Sequence, residues 1–345
     1  MTLDAGAELD PHNLQYQDVL LALARNLLAD LAEQGIEIDA DHWRQLAGWF
    51  DERIEQHEET RSYAAELRAG AQAKSGLPLL ASLFAGVTAA IRTNATHKET
   101  LRRIVRNHYA DFASAFNDLI RAAEDACHEA GLGARILFIV DGTDKQRGED
   151  AEAFFVRDVH QLKAIDGIFL YSTPIRMLHA YGALNQHFTG VFKLPMIKLV
   201  EKDGARHEAG WAAMRELLYR RAPQSLFERA DVADHLIAHS GGHPRDLLRL
   251  LSIAFSKATG EHFDMPGAKG AVAEVAAGYR RLLEADDYPL LAAIDAQPDD
   301  EHNMKRVREL LDQLVILEYN AYWWRTHPAV QTLPAYRKQV ETHDG

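Results

Sequence analysis

A change of hydrophobic period near residue 131 constrains this fold more than any other feature of the sequence. Before it, apolar side chains recur at helical spacing: Leu20, Leu23, Leu27 and Leu31, with Leu28 widening the stripe, over residues 14–34. Gly35 is placed to end that helix. A second helical pattern starts near Asp41, with Trp43, Leu46 and Phe50 on one face, and continues as a charged run. A third covers 99–130, with a seam of Leu101, Ile104, His108, Phe112, Phe116, Leu119 and Ala123. Then Gly131 and Gly133 introduce ILFIV (136–140), a short continuous apolar run. A run of this kind suits a strand buried on both faces of a parallel sheet. A helical pattern (151–163), the run GIFLYSTP (167–174), another helical pattern (175–187) and VFKLPMIKLV (191–200) follow. Strand, helix, strand, helix, strand predicts an α/β layer: strands 136–140, 168–172 and 191–199 in one mainly parallel sheet with helices on both faces.

From Trp211 the pattern is helical again, through 247–258 and 270–284. The segment 303–333 reads as a helix, carrying Val307, Leu310, Leu311 and Leu314, then a short strand–turn–strand. This divides the chain into a helix-rich core (1–204), a helical subdomain (205–290) and a small carboxyl-terminal domain (291–345). Composition narrows the function classes. The 345 residues carry 51 Asp and Glu against 38 Lys and Arg, a net charge of −13. So acidic a chain is poorly suited to coating nucleic acid by bulk electrostatics. The single cysteine, Cys127, excludes an intramolecular disulfide and a Cys-rich zinc site. With no signal-peptide pattern at the start and no apolar run long enough to span a bilayer (77–91 is the longest), the expected location is the cytoplasm.

Three segments can carry chemistry. The first is ILFIVDGTDK (136–145): an Asp at the carboxyl end of a parallel strand stands where open α/β folds place ligands. Asp141 there can hold magnesium, usually through water, and Asp144 can orient a water molecule. Read alone, Asp141 equally suits a turn cap. The second is Tyr171-Ser172-Thr173-Pro174, whose hydroxyls end the next strand. Alone it reads as a turn, with Thr173 as N-cap and Pro174 opening a helix. The third is His239-Ser240-Gly241-Gly242-His243-Pro244-Arg245-Asp246, a tight helix start that puts Arg245 where it can reach a phosphate.

Taken in order and at these spacings, the three segments resemble the core of the AAA+ and STAND branches of P-loop ATPases. ILFIVDGTDK resembles their Walker B strand, FLYSTP the sensor 1 strand, and GGHPRDLLRLL the GxP or sensor 2 helix of the lid. The tail LLDQLVILEYNAYWWRTHPAV is similar to a small winged-helix domain with an aromatic wing. The resemblance spans about residues 14–335. It implies ATP and Mg2+ as cofactors, with Asp141 on the metal and Asp144, Thr173 and Arg245 as catalytic groups. Ser172, Gly242 and Pro244 would then lie against the nucleotide. It also implies a protein partner or self-association, with Arg176 and the Arg220-Arg221 pair as unranked candidates for an arginine acting on a neighbour.

The departure from that pattern is as informative. G-x-x-x-x-G-K-[ST], the loop whose amides and lysine cradle phosphates, does not occur in the chain. The nearest fragment, 70–75 (GAQAKS), lacks the second glycine and follows a helical pattern rather than a strand. In the resembled fold the strand feeding that loop is central, next to the sensor 1 strand. The sequence therefore predicts an incomplete P-loop-type sheet: the strands on either side of the gap close up, another segment fills it, or a partner supplies the strand. It also predicts weak or no ATP binding by these residues alone. The alternative is a non-catalytic interaction scaffold, or a regulator reading DNA through the winged helix. For the last, Lys305, Arg306 and Arg308 are offset by Asp299, Asp300, Glu301 and Glu309. Trp323 and Trp324 suit packing on their own domain better than stacking on bases.

Overall fold

The structure is a computed structural model, which describes residues 1–10, 13–39, 41–42, 45–46, 48–49, 53, 95–146, 149–175, 177, 181–298, 304–320 and 323–343. The 70–75 fragment, the 77–91 run, Trp43, Phe50 and Arg176 lie outside the described residues. The chain divides into two compact units, Met1–Val191 and Phe192–Gly345. The division falls at 191/192 rather than 204/205, because the segment after Val191 packs with later residues.

The first unit opens with β1 (Thr2–Asp4) and α1 (Ala5–Glu8), then α2 (Tyr16–Glu33). Gln15 and Asp18 form a reciprocal capping box at the start of α2. Gly35, at φ +66°, turns the chain at its end, where the Ile36 amide donates to the Leu31 carbonyl (2.9 Å). The 99–130 pattern forms two helices, α3 (Ala95–Asn107) and α4 (Tyr109–Glu129). His108 leaves the helical conformation (φ −123°, ψ 35°) and is exposed, so the expected continuous seam is broken at this residue. The remaining seam residues, from Leu101 to Ala123, are buried. Arg102, 1% exposed, ties α3 to α2: its Nε donates to Asp18 Oδ1 (3.0 Å) and its Nη1 to Asn13 Oδ1 (2.9 Å).

β2 (Leu137–Asp141) and β3 (Ile168–Tyr171) are the first two expected strands, and they pair in parallel. The helical pattern between them resolves into α5 (Glu149–Glu152), one π turn and α6 (Val159–Lys163); α7 (Tyr181–His187) follows β3. The sheet order is β1-β2-β3, all parallel, with Leu3 opposite Val140 and Phe138 opposite Phe169. Side chains of Leu3, Phe138 and Val140 enter the core of the unit, and the Phe138 and Phe169 rings stack at 4.8 Å. Burying a side chain such as Phe138 contributes about 1.5–3 kcal/mol. The opposite face departs from expectation. Leu137, Ile168 and Leu170 share it and are 43%, 45% and 51% exposed, so this parallel sheet is packed on one face and open on the other.

The third expected strand is corrected: 191–199 forms no strand. Pro195 has no N–H to give to a ladder, and Phe192 and Leu194 are almost fully exposed. The Met196 amide donates to Glu318 O (2.8 Å) and the Ile197 amide to Gly242 O (3.1 Å), fastening the segment within the second unit. Of the three fates predicted for a gap beside the 168–172 strand, closure by 191–199 does not occur. Among the described residues the outer edge of β3 has no strand partner.

The second unit contains α8 (Glu208–Tyr219), α9 (Ala230–His239), α10 (Pro244–Lys257), α11 (Met265–Arg280), α12 (Asp287–Ala296) and α13 (Met304–Asp312). The antiparallel pair β4 (Ile316–Asn320) and β5 (Trp323–Thr326) comes next, then α14 (Pro328–Gln331) and α15 (Pro334–His343). One core runs from Leu199 to Tyr336, so residues on both sides of 290 share it. Trp323 and Trp324 are buried. Among the described residues, no helix is long and apolar enough to cross a membrane.

Candidate functional site

The carboxyl ends of the three parallel strands gather polar side chains at one sheet edge. Asp4, ending β1, lies in register beside Asp141, ending β2. Asp4 Oδ1 accepts from the Ala7 amide (3.0 Å), while the Asp4 amide donates to Glu8 Oε1 (3.2 Å). Asp4 is therefore committed to starting α1. Asp141 Oδ1 accepts from the Gly142 amide (2.8 Å), and its side chain is otherwise exposed. Gly142 has φ +82°, and a Cβ there would come within 2.5 Å of the Gly6 amide nitrogen, so the turn after β2 requires glycine. Among the described residues, no group of three or more His, Cys, Asp or Glu is placed to hold a metal ion.

That turn joins β2 to β3 through hydroxyls. Thr143, fully buried, donates through Oγ1 to the Ser172 carbonyl. Ser172 Oγ donates to Asp144 Oδ1 (3.2 Å). Asp144 and Ser172, named separately as candidate site residues, are thus in contact. Thr173 stands at the same edge, with Oγ1 buried and without a hydrogen-bond partner; it does not act as a cap. Tyr171, just before it, also has a buried and unpartnered hydroxyl. Its ring packs among Phe154, Phe155, Phe169 and Phe188, and that burial pushes its ionisation well above the usual tyrosine value. Lys145 Nζ lies over Gly6: a Cβ on Gly6 would be 2.2 Å from it, so a cation sits at this edge too. Sequence reasoning missed Asp4 and Lys145. A three-residue strand with one apolar side chain gives no periodic signal.

The remaining expected site residues belong to the second unit. Gly241 and Gly242 both have positive φ, and a Cβ on Gly242 would fall 1.7 Å from Ile197 O. Gly242 therefore admits the 196–199 segment at close range. Pro244 opens α10 at its first turn, and Arg245 is exposed there with no ion pair among the described residues. Asp246, next in the chain, is the centre of a buried network that the sequence did not reveal. Tyr279 OH donates to its Oδ2 (3.2 Å), and His327 Nε2 lies 3.1 Å from the same oxygen. His327 Nδ1 accepts from the Ala329 amide (3.1 Å), which leaves Nε2 as the protonated nitrogen facing Asp246. His243 Nδ1 also lies 3.1 Å from Oδ2, without hydrogen-bond alignment. Burial raises the Asp246 carboxyl, but His243 and His327 outweigh it and hold the group well below the usual carboxylate range. Burial lowers His327, only partly offset by Asp246.

In the carboxyl-terminal segment, Arg306 is held by Asp287 (Nη2 to Oδ2, 2.6 Å) and Glu309 (2.7 Å). Arg306 and both tryptophans are thus engaged within the unit, whereas Lys305 and Arg308 are exposed. No protein-family model matches the chain, and no similar curated protein or solved structure was found.

The residues fit one half of a magnesium–nucleotide site. Asp141, at a strand end, is able to take a magnesium ion through water, and the Asp144–Ser172 pair beside it is able to orient water. They do not fit the phosphate half, for which neither a glycine-rich loop nor its lysine occurs in the chain.

Proposed function

We infer that this chain is the carboxylate half of an ATPase module of the AAA+/STAND kind, a nucleotide-driven switch whose phosphate cradle comes from outside residues 1–345. One observation carries the reading. Asp141, the hydrogen-bonded Asp144–Ser172 pair and Thr173 lie at the carboxyl edge of a parallel sheet, next to a strand whose outer edge has no strand partner among the described residues. In this reading Asp141 would hold magnesium through water, and Asp144, positioned by its hydrogen bond from Ser172, would orient the attacking water. The Thr173 hydroxyl is buried without a partner, and would have to be uncovered when the sheet is completed to reach a phosphate oxygen. Arg245 belongs to the lid, and 291–345 to a winged-helix-like output domain.

The missing piece is a strand followed by G-x-x-x-x-G-K-[ST], added parallel to β3. Reading in frame upstream of Met1 for that pattern is the quickest check. In a chain extended by such a segment, Asp144→Asn should leave magnesium-ATP affinity within about twofold and slow phosphate release at least about 100-fold. Unchanged turnover would remove Asp144 from the reaction. The second reading, an interaction scaffold without catalysis, is favoured by the open apolar face of Leu137, Ile168 and Leu170. An upstream stop codon, or no strand and loop there, would favour it.

A further inference from the structure

The second unit holds a cavity of about 690 Å³, a volume typical of small-molecule sites and separate from the residues of the proposed nucleotide site. Leu248, Leu251 and Phe255 recur at helical spacing along α10 and form one wall. Phe263 supplies a buried surface: its ring stacks on Phe227 at 4.8 Å and lies 6.2 Å from that of Phe255. Leu226 contributes a further apolar side. Phe255 is 73% exposed and Leu226 40%, so apolar carbon lines an open space.

Polar groups are few: Arg221, Ser252, Glu261 and His262. Arg221 is exposed, and among the described residues its guanidinium makes no ion pair or hydrogen bond. Its neighbours are engaged: Arg220 is bound to Glu216 (2.5 Å) and Arg215 to Asp234 (2.6 Å). Arg221 thus brings an uncompensated cation to an apolar cavity, while Glu261, of opposite sign, lies on the 258–263 loop. An anionic head group is attracted to Arg221 and repelled by Glu261, which orients an amphipathic ligand along the cavity. The walls carry no array of converging donors and acceptors that would read a ring or a sugar. They select an aliphatic chain by burial and its head by charge.

We propose that this cavity binds a medium-chain carboxylate, with its chain against Leu226, Leu251 and Phe255 and its carboxylate on Arg221. The test is calorimetric titration of decanoate, below its micellar concentration, and of 1-decanol into residues 1–345. Decanoate should bind saturably at one site, about three- to fivefold tighter than decanol. Arg221→Gln should abolish that difference without changing decanol binding. Phe255→Ser, at an exposed position, should weaken both ligands about fivefold while leaving the thermal midpoint unchanged. Absence of saturable decanoate binding, equal affinity for the two ligands in the parent chain, or binding unmoved by both substitutions would overturn the proposal. None of these outcomes depends on ATP binding.

Discussion

Asp246 shows how one residue can organise a unit. Its carboxylate is buried at the start of α10, and a single oxygen serves Tyr279 and His327, with His243 alongside. Asp246→Ala would leave a buried phenol and a buried imidazole without their acceptor. Removing one partner of such a buried polar cluster costs about 3–5 kcal/mol, so urea unfolding of the second unit should shift by that amount. A change below 1 kcal/mol would mean that water replaces the carboxylate. Sequence reading noticed this octapeptide for Arg245 and its glycines and passed over Asp246. Its partners lie 33 and 81 residues away, beyond any local pattern.

Histidines in the same unit set its pH response. His235 and His239 pack one turn apart on α9, ring centroids 4.2 Å apart and planes tilted by 43°. Burial, then the neighbouring His239, lowers His235 from 6.5 to about 4; burial also lowers His239 and His327. A histidine with a depressed folded pKa binds fewer protons folded than unfolded between the two values. Its stability contribution is therefore complete above about pH 6.5 and declines as pH falls towards 4. The depressed Asp246 carboxyl acts in the same direction at lower pH. The thermal midpoint of the second unit should fall by roughly 5 °C between pH 7.5 and pH 5, measured by scanning calorimetry at constant ionic strength. A midpoint that rises on acidification would contradict the buried, neutral state of these rings.

At the scale of elements, β2 and β3 were readable because each is a short apolar run bounded by turn residues, whereas the Asp144–Ser172 hydrogen bond joins residues 28 apart and leaves no local signal. The run 191–200 has the same apolar density, yet Pro195 removes a donor and the segment's amides serve Glu318 and Gly242 instead. β1 was invisible because Thr2 and Asp4 flank one apolar residue, Leu3, and nothing local predicts that it enters the core. The break at His108 left no trace because it falls between two helices whose apolar stripes run on in phase. The two faces of the sheet make a sharp prediction. Phe138→Ala should cost about 3–5 kcal/mol, whereas Leu170→Lys should stay within about 0.5 kcal/mol. A large loss at Leu170 would show that its face is covered in solution. The same substitution in a chain extended through the phosphate loop should be costly, because a parallel sheet completed by a further strand and helix has both faces buried.

At the scale of the molecule, the chain consists of two compact units with separate cores, and the proposed chemistry depends on a third element added to the first. Asp141 and Asp144 are anionic and repel a triphosphate unless magnesium bridges them. Lys145 supplies an isolated cation at the same sheet edge in place of a ring of backbone amides. The contribution of the phosphate loop is therefore a difference between two polypeptides. Calorimetric titration of magnesium-ATP into residues 1–345, and into the same chain extended by a strand and G-x-x-x-x-G-K-[ST], measures that difference directly. The account predicts no saturable binding below about millimolar ATP for residues 1–345 and at least about 100-fold tighter binding once the loop is present. Micromolar binding by residues 1–345 alone, or no gain from the added loop, would contradict it.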